Sequence, residues 1–443
     1  MNFSDQFFHP DDDPIPETHP YVSLSRELDW DEIVLQLSEF YCDGNGRPAI
    51  PIKNMVLLLM FKHLDGYSDR ELIEVIAGSM PMQKALNIPF KIAQKYIDPS
   101  SLSKFRERIG EKGLSYINQA VESLVKKKAP KKSRKVFVDT TVVPSNILFP
   151  TDIHLLESAR KFLVKVIRKF SDSPVRTYCR KARRVFLQYI KLRRTKRIYT
   201  RKVQGKIIRF ACRNLKQANK VMEVFKKRKK IPARVRRIIE KLGTIETLLS
   251  QQKEIHRQTP RSGNKSGIRI PNRIVSIHKP HVRPMPRGKI PVPTEFGGKI
   301  LLEWRNGIVK LLHTCFDNIA DSELLRPHLS RYSGLDLGGD RGFHSPENTR
   351  LAAELNIRNY CIEKKGKQSA KTESYLLKQM RKKRSGIEAK ISLAKRKYGL
   401  RKNLYGRGAM GESQWIGLGI MAMNLKHVLV ILPKKRAIRP VRA

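Results

Sequence analysis

Residues 151–262 carry about 34 lysines and arginines against a handful of acids, and that load limits what this part of the chain can become. Clusters such as Arg193-Arg-Thr-Lys-Arg197 and Lys226-Lys-Arg-Lys-Lys230 cannot form a core, because burying unpaired cations costs far more hydration than packing returns. Apolar residues still recur there at helical spacing. The stretch therefore reads as a basic helical insertion, bounded at 151–264, that lies along a polyanion or stays partly disordered without one. The whole chain shares the bias: 90 Lys plus Arg against 40 Asp plus Glu over 443 residues gives a net charge of +50, which points to DNA or RNA as partner.

A membrane surface is the weaker partner. The longest apolar stretch, Trp415 to Pro433, is interrupted by Asn424, Lys426 and His427 and does not read as a span. The chain opens on acidic residues 11–13 without a secretory pattern, which makes a cytoplasmic, nucleoid-associated protein the expectation. Five scattered cysteines without a C-x-x-C pair argue against a zinc site or a disulfide framework.

Residues 1–20 read as a loose, disordered acidic tail, and 21–130 as an all-α domain. Ile52–Leu64 is apolar enough for a buried helix that Gly66 stops, and Ser68-Asp-Arg-Glu71 is a capping box. Asp98-Pro99 starts a helix displaying Lys104, Arg106 and Arg108. Short connections and that basic face suit a helix-turn-helix DNA reader.

From Val136 the texture changes. Val-Phe-Val-Asp139-Thr-Thr-Val-Val is a β-branched strand carrying one acid, and a mid-strand carboxylate needs a cation or metal to offset its desolvation. After the insertion, Gly298–Trp304 and Ile308–Cys315 read as a hairpin across Asn306-Gly307. A helix follows from Ser322. Then come a short strand ending in Asp340, a helix capped by Ser345, a strand at Asn359–Ile362, and a long basic helix carrying Glu388. This order is close to that of a ribonuclease H-like core, an α/β mixed sheet with flanking helices, spanning 131–150 and 265–443. In that architecture Asp139, Asp340 and Glu388 converge, a set of oxygen ligands suited to two Mg²⁺ ions. Asp152, Asp336 and Glu347 are competing acids. Arg384, Glu388 and Lys395 share one helix face, where the bland reading of Glu388 is a surface ion pair. His278 and His281 read as structural or phosphate-contacting residues.

Several stretches resemble the DDE-type transposases of bacterial insertion sequences. They are Val138-Asp139-Thr-Thr-Val-Val, Ser145-Asn146 with Pro150-Thr-Asp152, His281-Val-Arg-Pro with Glu295-Phe-Gly, Asp340-Arg-Gly-Phe-His-Ser-Pro-Glu-Asn348, and the Arg384/Glu388/Lys395 helix. The resemblance covers most of the chain, with one departure: Arg381 stands where the family often has a tyrosine. It implies metal ligation and catalysis by Asp139, Asp340 and Glu388, with Mg²⁺ as cofactor and Mn²⁺ as substitute. It also implies phosphate contacts by Arg384 and Lys395. Arg283 and Arg287, in the proline-rich basic stretch, join Lys104, Arg106 and Arg108 as DNA-binding candidates. The expected activity is binding of terminal inverted repeats, metal-dependent cleavage at the element ends, and joining of the 3′ ends to target DNA. The expected partners are double-stranded DNA and further copies of the chain in a homodimer or larger assembly. A related nuclease without strand transfer, and a non-catalytic nucleic-acid-binding protein, are the alternatives.

Overall fold

Each early helix starts or stops where local chemistry dictates. The computed structural model describes residues 15–42, 49–89, 96–128, 133–192, 196–228, 230–265, 267–286, 294–362, 375–404 and 406–436. Helices α1 (Pro20–Glu27), α2 (Trp30–Ser38), α3 (Ile52–Asp65), α4 (Asp69–Gly78), α5 (Met80–Leu86) and α6 (Pro99–Lys128) precede the first strand. α3 is buried along most of its length and ends at Gly66, whose φ of 80° only glycine adopts without strain. The Ser68–Glu71 capping box opens α4 as the sequence implies. Asp98 accepts the Ser100 amide at 2.8 Å and so caps α6. Gly110, at φ 58° and ψ −158°, breaks α6 into two helical segments, a feature its sequence did not announce. Of the expected acidic tail, residues 1–14 lie outside the described residues. Residues 15–19 are anchored, because Lys84 donates to the Ile15 carbonyl at 2.7 Å and pairs with Glu17 at 2.9 Å.

The chain divides into two compact units. The first comprises residues 1–145, 298–315 and 319–443, and the second comprises 146–297 and 316–318. The second therefore runs to Gly297 rather than to the expected boundary at 264.

In the first unit a mixed sheet is formed by β1 (Lys135–Pro144), β3 (Thr294–Arg305, from Gly298 onward), β4 (Ile308–Cys315), β5 (Asp336–Gly338) and β6 (Asn359–Cys361). β3 lies between β4 and β1, while β5 and β6 continue from the other edge of β1. β3 and β4 are antiparallel across the Asn306-Gly307 turn, both of whose residues have positive φ, as the hairpin reading requires. β1 with β5, and β5 with β6, are parallel. Val136, Phe137 and Val138 of β1 are buried, and their β-branched or aromatic side chains fill both faces of a covered central strand. Helices α11 (Asp321–Leu325) and α12 (Pro346–Glu354) contribute to this unit, as do α13 (Tyr375–Lys397) and α14 (Gly408–Arg436). Leu418, Met421, Leu425 and Val428 of α14 join the buried apolar cluster of the N-terminal helices. Ile308 of β4 joins that cluster too, while the other strands of this sheet pack into two clusters of their own.

The second unit holds the basic helices α7 (Asp152–Phe170), α8 (Cys179–Ile190), α9 (Arg197–Lys226) and α10 (Ala233–Gln258). Its core is apolar and continuous, from Ile153, Leu156 and Leu163 to Ile207, Ala211, Leu242 and Leu248. Apart from Arg160, which is buried beside Glu157, its cations therefore stand mainly on the outer faces of helices whose inner faces pack normally. Strand β2 (Arg283–Pro286) pairs with the first residues of β3, setting Met285 opposite Glu295 and Pro284 opposite Phe296. Among the described residues no helix is long and apolar enough to cross a membrane.

Candidate active site

Parallel pairing of β1 with β5 matches Lys135 to Asp336, Val136 to Leu337 and Phe137 to Gly338. Continued two residues past its last pair, the same register would match Asp340 to Asp139, although the ladder itself ends at Gly338. Asp340 does not end the strand, as the sequence reading had it. β5 stops at Gly338, and Asp340 caps the short 3₁₀ turn Arg341–Phe343, accepting the Arg341 amide at 2.7 Å.

Two glycines permit that approach. A Cβ on Gly338 would lie 3.0 Å from Met380 and 3.1 Å from Phe137, and one on Gly339 would lie 3.1 Å from both Phe343 and Val138. Without side chains there, the end of β5 settles against β1 and α13 at once. The loop after Asp340 is then fixed by burial of Phe343 and by Asn348, whose amide donates to the carbonyls of Ser322 and Phe343 at 2.9 and 3.1 Å. The Gly338-Gly339 pair was a sequence signal that the reading of motifs passed over.

The rotation of α13 decides where Glu388 goes. Met380, Ile387 and Ala394 are its buried stripe. Gly386 faces Trp304 of β3 so closely that a Cβ would lie 2.3 Å from the indole. At 3.6 residues per turn, Arg384, Glu388 and Lys395 fall on the flank of that stripe away from Gly386. Lys135 of β1 donates to Gln379 at 2.7 Å, tying strand to helix. Asp340, Gly338, Gly339, Met380, Arg381 and Arg384 line a cavity of about 250 Å³.

The Asp139 carboxyl senses the other two acids. It is raised to about 6, chiefly by burial. The Thr140 amide bond and the Arg384 charge pull it down, while the charges of Asp340 and Glu388 push it further up. Asp139 therefore feels both other acids and Arg384. Glu388 is about half exposed and pairs with Arg384 at 3.0 Å, so the ion pair allowed by the bland reading is present. Among the described residues no three His, Cys, Asp or Glu side chains stand close enough to hold a metal ion as they are. By donor type the set fits a hard divalent cation: three carboxylates, one of them buried without a bonded cation.

The competing acids have other partners. Asp152, in the second unit, accepts from Lys265 at 2.6 Å, Arg273 at 2.7 Å and Gln252 at 2.8 Å. Asp336 accepts from Asn359 at 2.6 Å, and Glu347 pairs with Arg326 at 2.8 Å. Ser145 is a structural tie, donating to the buried Glu412 of α14 at 2.5 Å. Among the basic candidates, Lys104 is exposed and Arg108 is exposed over the Tyr41 ring at 4.5 Å. Arg106 is committed to Asp69 through two bonds of 3.0 and 2.6 Å, which makes it a packing residue before anything else. Arg283 of β2 bonds the carbonyls of Pro280 and Val282, and Arg287 lies outside the described residues. His278 meets Lys241 at 2.7 Å, and His281 packs edge-on against Phe316.

Comparison with known proteins adds the family. Residues 10–108 match the family model described as a transposase domain (DUF772). Over 166 residues the chain is 34% identical to a Rhizobium meliloti protein described as uncharacterized protein ORF8 in the nfe locus, covering 37% of this chain and 80% of that one. The chain belongs to this family of transposase-domain proteins. No solved structure matches it. The family match ends at residue 108, before β1, so Asp139, Asp340 and Glu388 lie outside it.

Proposed function

We propose that this chain is a DDE-type transposase with a ribonuclease H-like core, and that Asp139, Asp340 and Glu388 are its catalytic carboxylates. The observation that carries the reading is Asp139 itself. It is a largely buried acid whose carboxyl is raised to about 6 by burial and by the two other acids that the element order selects. A structural carboxylate in that position would have a bonded cation; among the described residues this one has the Thr140 amide and the more distant Arg384.

Asp139, Asp340 and Glu388 would hold Mg²⁺, with Mn²⁺ as substitute. Bound there, the metal supplies Lewis-acid activation for phosphoryl transfer, which covers both hydrolysis at the ends and joining of the 3′-hydroxyl. The chain's own groups do the rest. Asp139 is ionised above pH 6 and offers oxygens on a rigid central strand. Phe343 and Asn348 keep the Asp340 loop from drifting. Arg384 balances charge among the acids, and on release of Glu388 its guanidinium faces phosphate. Lys395 on the same flank and Lys104 and Arg108 on α6 would extend the contact to double-stranded DNA, and Arg283 of β2 is a separate candidate contact in the second unit. Terminal repeats bound by the helical N-terminal domain, and two ends joined in one event, call for a dimer or larger assembly.

The test uses linear DNA carrying the flanks of the gene and the full chain with Mg²⁺. Wild type nicks at the element boundary and joins pre-cut 3′ ends to a target plasmid. Cleavage that survives in Asp139→Asn, Asp340→Asn and Glu388→Gln alike would overturn the assignment.

A further inference from the structure

We infer that the cleft between α7 and α8 of the second unit is a binding site for consecutive backbone phosphates of double-stranded DNA. Its walls carry seven cations, among them Lys161, Lys165 and Arg168 of α7 and Arg183 of α8, and among the described residues no acid lines it. The cleft measures about 760 Å³, more than a single phosphate needs. Lys161 to Lys169 span eight residues of α7, or roughly 12 Å, which is the length of about three charges along one DNA strand.

Arg160 lies at the base of this cleft and is 3% exposed. Its Nε and one terminal nitrogen each bond Glu157 at 2.7 Å, while its other terminal nitrogen, Nη1, is buried with no partner. A buried guanidinium N–H left unsatisfied is destabilising, and a phosphate oxygen drawn into the cleft would relieve it. The N-terminus of α8 opens onto the same cleft at Cys179 and has no side-chain cap from Tyr178; the Arg180 amide bonds the Cys179 sulfur there. Arg168 donates to the Cys179 sulfur at 3.3 Å. Burial pushes the thiol up, but the Thr177 hydrogen bond and the charges of Arg168 and Arg160 bring it below its ordinary value. A partly exposed free thiol thus lines the site and serves as a probe of its occupancy. The inference does not depend on the chemistry at Asp139.

The experiment is alkylation of the full chain by iodoacetamide, with Cys179 and Cys212 quantified separately by peptide mass spectrometry. It is run alone, with a 30-base-pair duplex, and with inorganic phosphate at the same total phosphate concentration. The duplex is expected to slow alkylation of Cys179 by at least ~5-fold while Cys212 changes less than ~2-fold, and added salt is expected to reverse the protection. In Lys165→Ala/Arg183→Ala, which leaves Arg160, Arg168 and Cys179 in place, protection is lost. Duplex affinity falls about tenfold and its salt slope drops by roughly two. A circular-dichroism melt of that variant at the wild-type temperature keeps the loss attributable to charge. Duplex binding that leaves Cys179 unprotected would overturn the inference, as would equal protection by inorganic phosphate, which would make the cleft a small-anion site. Cleavage is measured separately with Asp139→Asn, so either conclusion can fail alone.

Discussion

Asp139 and Asp152 stand thirteen residues apart in sequence, one in each unit, and both are largely withdrawn from water. Their surroundings are opposite. Asp152 has Lys265 and Arg273 within 2.7 Å and a Gln252 amide besides, and although burial raises its carboxyl these cations outweigh it and hold the group below its usual value. Asp139 accepts one amide, feels two acids, and is raised to about 6. A carboxylate that a fold uses to hold itself together is given its cations by the chain; one that it reserves for an external cation is not. The same contrast separates the two transposase-like motifs at these positions, and it argues for function at Asp139 and for structure at Asp152.

Substitutions can break this comparison. The largest effect is expected for Asp139→Asn on end cleavage: a loss on the order of 10³-fold or more, with duplex affinity within about twofold of wild type, read by gel assay and fluorescence anisotropy. Next comes Asp152→Asn. It strands Lys265 and Arg273, and because both are about a third exposed the cost is discounted to about 2 kcal/mol of stability in urea unfolding at pH 7. Stability moves the other way in Asp139→Asn, with a gain of about 2 kcal/mol at pH 8 from removing a buried, unpaired charge.

The pH dependence sharpens the sign. Since its folded value is raised, Asp139 contributes stability that is full below its ordinary value of 3.8 and is lost as pH rises through about 6. The advantage of Asp139→Asn should therefore vanish below about pH 4. For Asp152, whose value is depressed, the contribution is present above 3.8 and is lost as pH falls through its lower folded value. The penalty of Asp152→Asn should shrink only in stronger acid. Smallest of all is Glu347→Gln. Its partner Arg326 and the pair itself are partly exposed, so thermal melting should shift by no more than about 0.5 kcal/mol.

What the sequence made legible was whatever nearby residues decide. The Asn306-Gly307 turn, the Ser68–Glu71 box, the Gly66 stop and the β-branched run around Asp139 are set by chemistry within a few positions, and the structure has each of them. The partners of Asp152 lie 113 and 121 residues away, so nothing near it marked it as structural. The boundary at Gly297 likewise depends on packing between distant segments. Arg106 looked like a DNA contact because its face is basic; Asp69, on another helix, claims it. Glu388 was legible as to its place in the element order but not as to its company. Its pairing with Arg384 and its flank of α13 are set by Met380, Ile387 and Gly386 against the sheet.

The central claim is that three acids from β1, the β5 loop and α13 make one cation site, and isothermal titration of Mn²⁺ into the full chain tests it without any DNA. Wild type and Glu347→Gln should bind alike, whereas Asp139→Asn, Asp340→Asn and Glu388→Gln should each lose at least ~10-fold in affinity while melting as folded proteins. Wild-type Mn²⁺ affinity in all three variants would contradict the claim.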